Sequence, residues 1–236
     1  MLKKNELKPW LREMWCIPPE KNAEFVCNME NVLETYQLPY SADEPVICMD
    51  EVSVQLIGET RPGIPMKPGE PERCDYEYVR NGTANIFMVC EPLKGFRHVT
   101  VTERRTRTDW AHLIREVVDE IYPWVTRIKL VMDNLNTHGA ASLYEAFEPA
   151  EARRIMKKLD IIHTPKHGSW LNMAEIELSV LSRQCLSRRI ADAAELKTEV
   201  AKWADKRNQT QTGVDWQFTA ENARTKLKRL YPKVQN

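Results

Sequence analysis

The sequence predicts an α/β fold in which helices cover both faces of a mixed β-sheet. Strand-like apolar runs come first in the chain, and from residue 109 onward helical and strand-like patterns alternate. That order is typical of a sheet packed between helices. The length of 236 residues suits one main domain with appendages.

The first predicted core elements are strands, and turn-forming residues separate them. A helix over 23–36 precedes the strands, with Pro18, Pro19 and Pro39 around it. The segment 60–81 is rich in Pro, Gly and charge, so we predict a hairpin connection or surface loop there. The predicted strands lie at 46–49 with a continuation over 52–57, at 84–90 and at 98–103.

The second half of the predicted core alternates between helices and strands. Thr108 is the predicted N-cap of a helix with apolar positions from 110 to 121, and Pro123 ends that helix. A helix is expected after Thr137, a long one from near Ser169, one over 193–208, and a helical tail over 224–231. Strands are expected at 128–132 and 161–163, an order that matches the ribonuclease H-like arrangement.

Bulk composition neither favours nor excludes a nucleic-acid partner. Lys and Arg total 34, and so do Asp and Glu. Most nucleic-acid-binding domains are basic overall, although the distribution of charge matters more than its sum. The six cysteines form no CxxC pair and no secretory segment is evident, so we expect reduced thiols and a cytoplasmic protein. No apolar run approaches the roughly 20 residues of a membrane span.

Two aspartates follow predicted strands directly, which makes them candidate site residues. Asp50 follows the apolar run 45–49, and Asp133 follows 128–132. Taken singly, Asp50 suits a strand-ending turn and Asp133 suits a helix N-cap. Ligands of open α/β sheets collect at the carboxyl ends of strands, so the pair favours a functional site. Glu51 points to the opposite face from Asp50 if the strand continues.

Glu175 and Glu177 compete as the third acid of this candidate site. They stand two residues apart on one predicted helix, so only one of them can face a given strand end. A solvated helix face would explain Glu177, which has no cation three or four residues away. Periodicity mildly favours Glu175 and leaves the choice open.

Three converging carboxylates suit metal-dependent chemistry on a phosphodiester. Two Mg²⁺ or Mn²⁺ ions about 4 Å apart can activate an attacking oxygen and stabilise the leaving one. Hard cations of this kind take carboxylate oxygens in preference to thiolate or imidazole. The sequence therefore predicts a two-metal site and no organic cofactor.

The residues around these acids form motifs that resemble a known family. The motifs are Cys48-Met-Asp-Glu51, Val131-Met-Asp-Asn134 with His138, and the twelve residues from Thr164 to Glu175. They resemble the catalytic signatures of bacterial insertion-sequence transposases in the branch related to mariner elements, insertion sequence family 630. The resemblance extends from about Lys8 to the C-terminus.

The resemblance implies a ribonuclease H-like fold and a catalytic, metal-binding triad of Asp50, Asp133 and Glu175. It selects Glu175 over Glu177 and implies cleavage at transposon ends, strand transfer to target double-stranded DNA, and a homodimer that joins two ends. Relatives usually carry N-terminal helix-turn-helix modules, and the chain begins at what looks like the end of that region. The expected units are a linker or remnant over 1–40, a catalytic domain over 41–212 and a basic helical tail over 213–236. The expected location is the bacterial cytoplasm, at the nucleoid when the protein is bound to DNA.

Further residues are candidates for contact with DNA. Cations after a strand and near the third motif suit phosphate contacts, and Trp170 could stack on a base, although core packing is the more common role of such a tryptophan. His138 could orient a water or a phosphate, or cap a helix. The predicted DNA-contacting set comprises Arg104, Arg105, Arg107, Asn134, Lys166, His167, Trp170 and Asn172.

Two other functions fit the same residues. A transposase-derived module could keep the fold and bind DNA or a partner without turnover. A general ribonuclease H-like nuclease could use the same acids on RNA–DNA hybrids or junctions.

Overall fold

The computed structural model describes residues 22–135 and 139–232, and its core is one five-stranded mixed sheet. In spatial order the strands run β3-β2-β1-β4-β5. The first three form an antiparallel meander, and β4 and β5 lie parallel to β1. Helices cover both faces, so the predicted fold class is confirmed. The strands are β1 (Val46–Glu59), β2 (Tyr78–Glu91), β3 (Phe96–Thr102), β4 (Ile128–Met132) and β5 (Leu159–His163).

The helices follow the predicted order, with differences in bounds and number. The tail helix predicted over 224–231 begins earlier, at Ala220, and ends at Lys226. α2 begins two residues before the predicted site because Thr106, not Thr108, is its N-cap and forms a capping box with Asp109. The one helix expected after Thr137 is two helices, and Pro149 begins the second. The α-helices are α1 (Ala23–Tyr36), α2 (Arg107–Glu116), α3 (Ala140–Ala146), α4 (Pro149–Lys157), α5 (Met173–Gln184), α6 (Ala193–Thr210) and α7 (Ala220–Lys226).

Three short helical segments complete the described chain. A π-helical segment, Val117–Ile121, continues α2. Two 3₁₀ turns, Ser169–Leu171 and Lys228–Leu230, precede α5 and follow α7. No helix in the described ranges is both long and apolar enough to cross a membrane.

Two hydrophobic cores lie on opposite faces of the sheet. Because side chains alternate along a strand, Cys48 of β1 enters one core while Ile47 and Met49 enter the other. The first core contains side chains of α1, α5, α6 and α7, and the second contains side chains of α2, α3 and α4. The same alternation assigns Asp50 to the face that α5 covers.

α1 packs within the first core. Met29, Val32 and Leu33 of this helix are fully buried. From the other end of the chain, Arg224 donates to both carboxylate oxygens of Glu30 at 2.8 and 2.7 Å. α1 therefore packs on the sheet although it falls within the segment predicted as a linker, and the domain boundaries at residues 40 and 212 remain a prediction.

The Pro- and Gly-rich segment after β1 is a hairpin connection, as predicted. β1 and β2 pair in antiparallel register from Cys48 with Cys90 to Glu59 with Tyr78. Two isolated bridges, Ile64 with Arg73 and Lys67 with Glu70, continue the hairpin beyond the sheet.

Candidate active site at the carboxyl edge of the sheet

Asp50 and Asp133 occupy equivalent positions on neighbouring parallel strands. Cys48 of β1 is in register with Val131 of β4, and each aspartate stands two residues farther along the chain. Side chains two residues apart share a face, and parallel neighbours lie about 4.8 Å apart. Both acids therefore lie at the carboxyl end of the parallel part of the sheet. Only Asp133 follows the end of its strand; Asp50 lies within β1, so its predicted strand-ending position is wrong. β4 ends at Met132, whereas β1 continues beside β2.

α5 brings the third acid to this edge. The 3₁₀ turn ends at Leu171, Asn172 caps α5, and Glu175 lies in the first turn of that helix. A four-residue turn precedes this segment, with the Gly168 N–H donating to the Pro165 carbonyl at 2.8 Å. A Cβ at Gly168 would lie 2.5 Å from Pro165 Cγ, so the turn requires glycine there.

The pKa of Asp50 responds to the other two acids. Burial raises the pKa of Asp50 to about 7, and repulsion from Glu51, Asp133 and Glu175 adds to the rise. The Glu51 backbone N–H opposes it by donating to Asp50 Oδ1 at 2.8 Å. Repulsion between neighbouring carboxylates is what a bound cation would relieve.

The donor chemistry of this edge fits a hard divalent cation. The three candidate ligands are all carboxylates, and the charges that shift the pKa of Asp50 are all negative. Within residues 22–135 and 139–232, however, no three His, Cys, Asp or Glu side chains are grouped closely enough to enclose a metal ion. The described edge thus has the charge of a metal site without a closed coordination shell.

Glu177 has a structural role that sequence reasoning missed. It is 2% exposed, so the predicted solvated position is wrong. Arg97 of β3 donates to both of its carboxylate oxygens at 2.8 Å, and Arg207 of α6 donates to both at 3.1 Å. Burial alone would raise the pKa of Glu177, but the two arginines outweigh it and lower that pKa. Its partners come from distant strands and helices, so periodicity along α5 gave no signal for them.

The three predicted arginine contacts are exposed near the acidic edge. β3 runs in the same direction as β1, and its last residue, Thr102, pairs with Asn85 of β2. The three arginines follow Thr102 in the chain and so lie beyond the carboxyl end of β3. Arg105 Nη1 lies 3.5 Å from Glu51 Oε1, and Arg107 Nη1 lies 2.5 Å from Glu145 Oε1. In the described part of the chain Arg104 has no ion-pair partner.

Lys166 and His167 lie on the other side of the acids. Both are exposed and follow the carboxyl end of β5. His167 adopts a φ of 66°, a left-handed conformation that costs energy for a residue other than glycine. The predicted cations therefore flank the acids from the ends of β3 and β5.

The remaining predicted contacts differ in accessibility. Asn134 is exposed beside Asp133, and Trp170 is half-buried with its ring 6.2 Å from that of Phe218. Asn172 is 1% exposed, and its amide nitrogen and amide oxygen both form hydrogen bonds within the protein. We therefore leave it out of the DNA-contacting set. His138 lies outside the described residues, as do Lys8 and the rest of the predicted remnant up to residue 21.

The fold is similar to that of mariner transposase structures. The Mos1 mariner paired end complex with Mn aligns with a TM-score of 0.54 and 13% identity, over 86% of this chain and 62% of that one. The Mos1 transposase paired-end complex with left transposon end gives 0.55 and 12% over the same shares. The Mos1 Strand Transfer Complex gives 0.54 and 11%, again over 86% and 62%. The chain thus spans less than two thirds of the length of these relatives.

Sequence comparison defines the family but not the branch. Comparison with curated proteins gave no match. Membership in insertion sequence family 630 remains a prediction. A model of the DDE superfamily endonucleases matches residues 45–197, which include all three acids and more than half of the chain. The chain therefore belongs to the DDE superfamily endonuclease family and has the ribonuclease H-like fold of a mariner-type transposase.

Proposed function

We propose that this protein is a transposase catalytic domain that cleaves DNA strands at transposon ends and joins them to target DNA. The observation behind the proposal is the convergence of Asp50, Asp133 and Glu175 on one face at the carboxyl edge of the sheet. The similar structures are named as transposon-end and strand-transfer complexes, which supports this substrate class.

Divalent metal is part of the proposal. Asp50, Asp133 and Glu175 would hold Mg²⁺ or Mn²⁺, and two of the similar structures are named as complexes with Mn and with Mg. Two such ions would activate the attacking oxygen and stabilise the leaving one. Asp50, with a pKa of about 7, must be ionised to become a ligand, so metal binding near neutral pH is coupled to proton release.

The chain's own side chains would place the phosphodiester over the acids. Arg104 and Lys166 approach from opposite sides, and neither has an ion-pair partner within the described ranges. Their charges can attract phosphates and fix the register of the DNA, and Asn134 beside Asp133 and the half-buried Trp170 are further candidate contacts. A homodimer that joins two DNA ends, acting at the bacterial nucleoid, completes the proposal.

Metal-dependent nicking of terminal-repeat DNA tests the proposal. We expect nicking with Mn²⁺ and a loss of at least about 1,000-fold in Asp50→Asn, Asp133→Asn and Glu175→Gln, because each change removes a ligand. Asp160→Asn is the matched control, since Asp160 also belongs to a parallel strand but lies 3.5 Å from Lys129 Nζ. That variant should nick at the wild-type rate.

The other functions predict different results in the same assay. DNA binding without Mn²⁺-dependent nicking would mark a silent transposase-derived module. Equal cleavage of RNA–DNA hybrids that lack terminal repeats would mark a general nuclease. Nicking that survives all three acid substitutions would overturn the assignment of the triad.

A further inference from the structure

A single buried amide links the strand of Asp50 to the helix of Glu175. Asn172 Nδ2 donates to the carbonyl oxygen of Met49 at 2.8 Å, and Met49 directly precedes Asp50. Asn172 Oδ1 accepts from the Ala174 N–H at 3.1 Å and so caps α5. The two catalytic candidates are therefore connected through one side chain that water does not reach.

Tyr36, the last residue of α1, holds the backbone on both sides of that amide. Its hydroxyl donates to the Leu171 carbonyl at 2.8 Å and accepts from the Met173 N–H at 3.3 Å. The side chain is buried, and burial raises its pKa well above the usual range, so the hydroxyl remains a donor. The ring of Trp216 packs against it with centroids 5.5 Å apart.

We propose that Asn172 and Tyr36, which we call the β1–α5 brace, are positioning residues that fix Glu175 relative to Asp50 for metal binding. The inference rests on the proposed function. Neither residue contacts the reacting atoms, and both act through the backbone of β1 and α5. Metal affinity depends on ligand placement within a few tenths of an ångström, and loss of a supporting contact typically weakens it 10- to 100-fold.

The placement of the brace gives α1 a role at the site. Tyr36 is the only α1 residue, within the described chain, that hydrogen-bonds to the segment from Leu171 to Met173. Through it, a helix that starts the described chain supports the acidic edge of the sheet. Packing alone cannot replace these bonds, because hydrogen bonds set direction as well as distance.

Replacing Asn172 with serine separates the two functions of its amide. Asn172→Ser keeps an oxygen that can cap α5 but is too short to reach the Met49 carbonyl. We expect about tenfold weaker Mn²⁺ binding by calorimetry. Asn22→Ser is the matched control, because Asn22 caps α1 by accepting from the Phe25 N–H at 3.0 Å and lies away from the acids. The control should bind Mn²⁺ like the wild type.

Removing the Tyr36 hydroxyl tests the second half of the brace. Tyr36→Phe keeps the ring, so the variant should fold, and amide hydrogen exchange at Met173 should accelerate at least about tenfold. Mn²⁺ binding should weaken about threefold or more. Tyr231→Phe is the control. It also removes a tyrosine hydroxyl that bonds to α1, because the Tyr231 hydroxyl donates to Glu30 Oε1 at 2.7 Å. It should leave both readouts unchanged.

The outcomes separate this inference from the proposed function. The proposed metal site fails if the wild-type protein does not bind Mn²⁺, or if Asp50→Asn and Glu175→Gln leave the binding intact. If that binding exists and both brace variants retain wild-type affinity, the positioning role is overturned while the metal site stands. Should Asn172→Ser not fold, Tyr36→Phe decides the matter by itself.

Discussion

Asp50 lies partly buried at the edge of the sheet, where burial and three neighbouring carboxylates oppose its ionisation. Its pKa of about 7 stands above its ordinary value of 3.8. Between these two pH values the folded protein keeps a proton that the unfolded chain releases. Asp50 therefore lowers the free energy of unfolding as pH rises from about 4 to about 7.

Asp50→Asn should remove this pH dependence. We expect the free energy of unfolding of metal-free protein to rise by about 2 kcal/mol at pH 8 and to change little at pH 4, allowing for partial solvent screening. Urea denaturation in chelator at both pH values measures it. If wild type and variant differ in free energy of unfolding by the same amount at both pH values, the raised pKa of Asp50 is not the cause.

A buried ion triad fixes the amino-terminal half of α5, in addition to its cap. Glu177 accepts from Arg97 of β3 and from Arg207 of α6, so this helix is tied to a strand and to another helix. Arg97 also receives support from Asn208, whose Nδ2 donates to the Arg97 carbonyl at 2.8 Å. The rotation that points Glu177 inward is the rotation that leaves Glu175 at the acidic edge.

Glu177→Gln should destabilise the fold by roughly 3–5 kcal/mol, because it leaves the charges of two arginines uncompensated in the interior. Chemical denaturation at neutral pH measures the change. Glu145→Gln removes an exposed pair with Arg107 and should cost less than about 1 kcal/mol. Similar losses of unfolding free energy in the two variants would show that burial does not make the Glu177 ion triad more stabilising than an exposed pair.

For the whole molecule, the zero net charge hides an uneven distribution. The exposed cations Arg104 and Lys166 follow the carboxyl ends of β3 and β5, on either side of the acids. A neutral chain can therefore present a cationic border around an anionic centre. Such a border suits a DNA backbone whose scissile phosphate lies over the acids.

Arg104→Ala and Lys166→Ala should each weaken DNA binding and lower the slope of log affinity against log salt by about 1. Fluorescence anisotropy over a range of salt concentrations measures both quantities. Arg154→Ala is the control. Arg154 lies on α4, which leads into the amino end of β5, and it pairs with Asp119 at 2.7 Å. An equal change in the control would argue against a specific border.

Part of the architecture was predictable because it depends on local patterns. Apolar runs identified the five strands, and Asp50 and Asp133, which each follow an apolar run, were predicted to share an edge. The apolar run did not show that β1 continues past Asp50. The exact bounds of α1 followed from its apolar spacing, since a helix buries one face at a period of 3.6 residues. The family resemblance, rather than periodicity, selected Glu175.

By itself the sequence determined the fold class, the five strands and the first two candidate acids, because burial alternates with the period of each strand and helix. Only the tertiary structure decided that Glu177 is paired, that Asn172 faces inward and that Tyr36 reaches the site. Their partners lie 30 or more residues away along the chain, on other elements. Periodicity reports which side of an element is buried, whereas the identity of a buried partner depends on how elements pack.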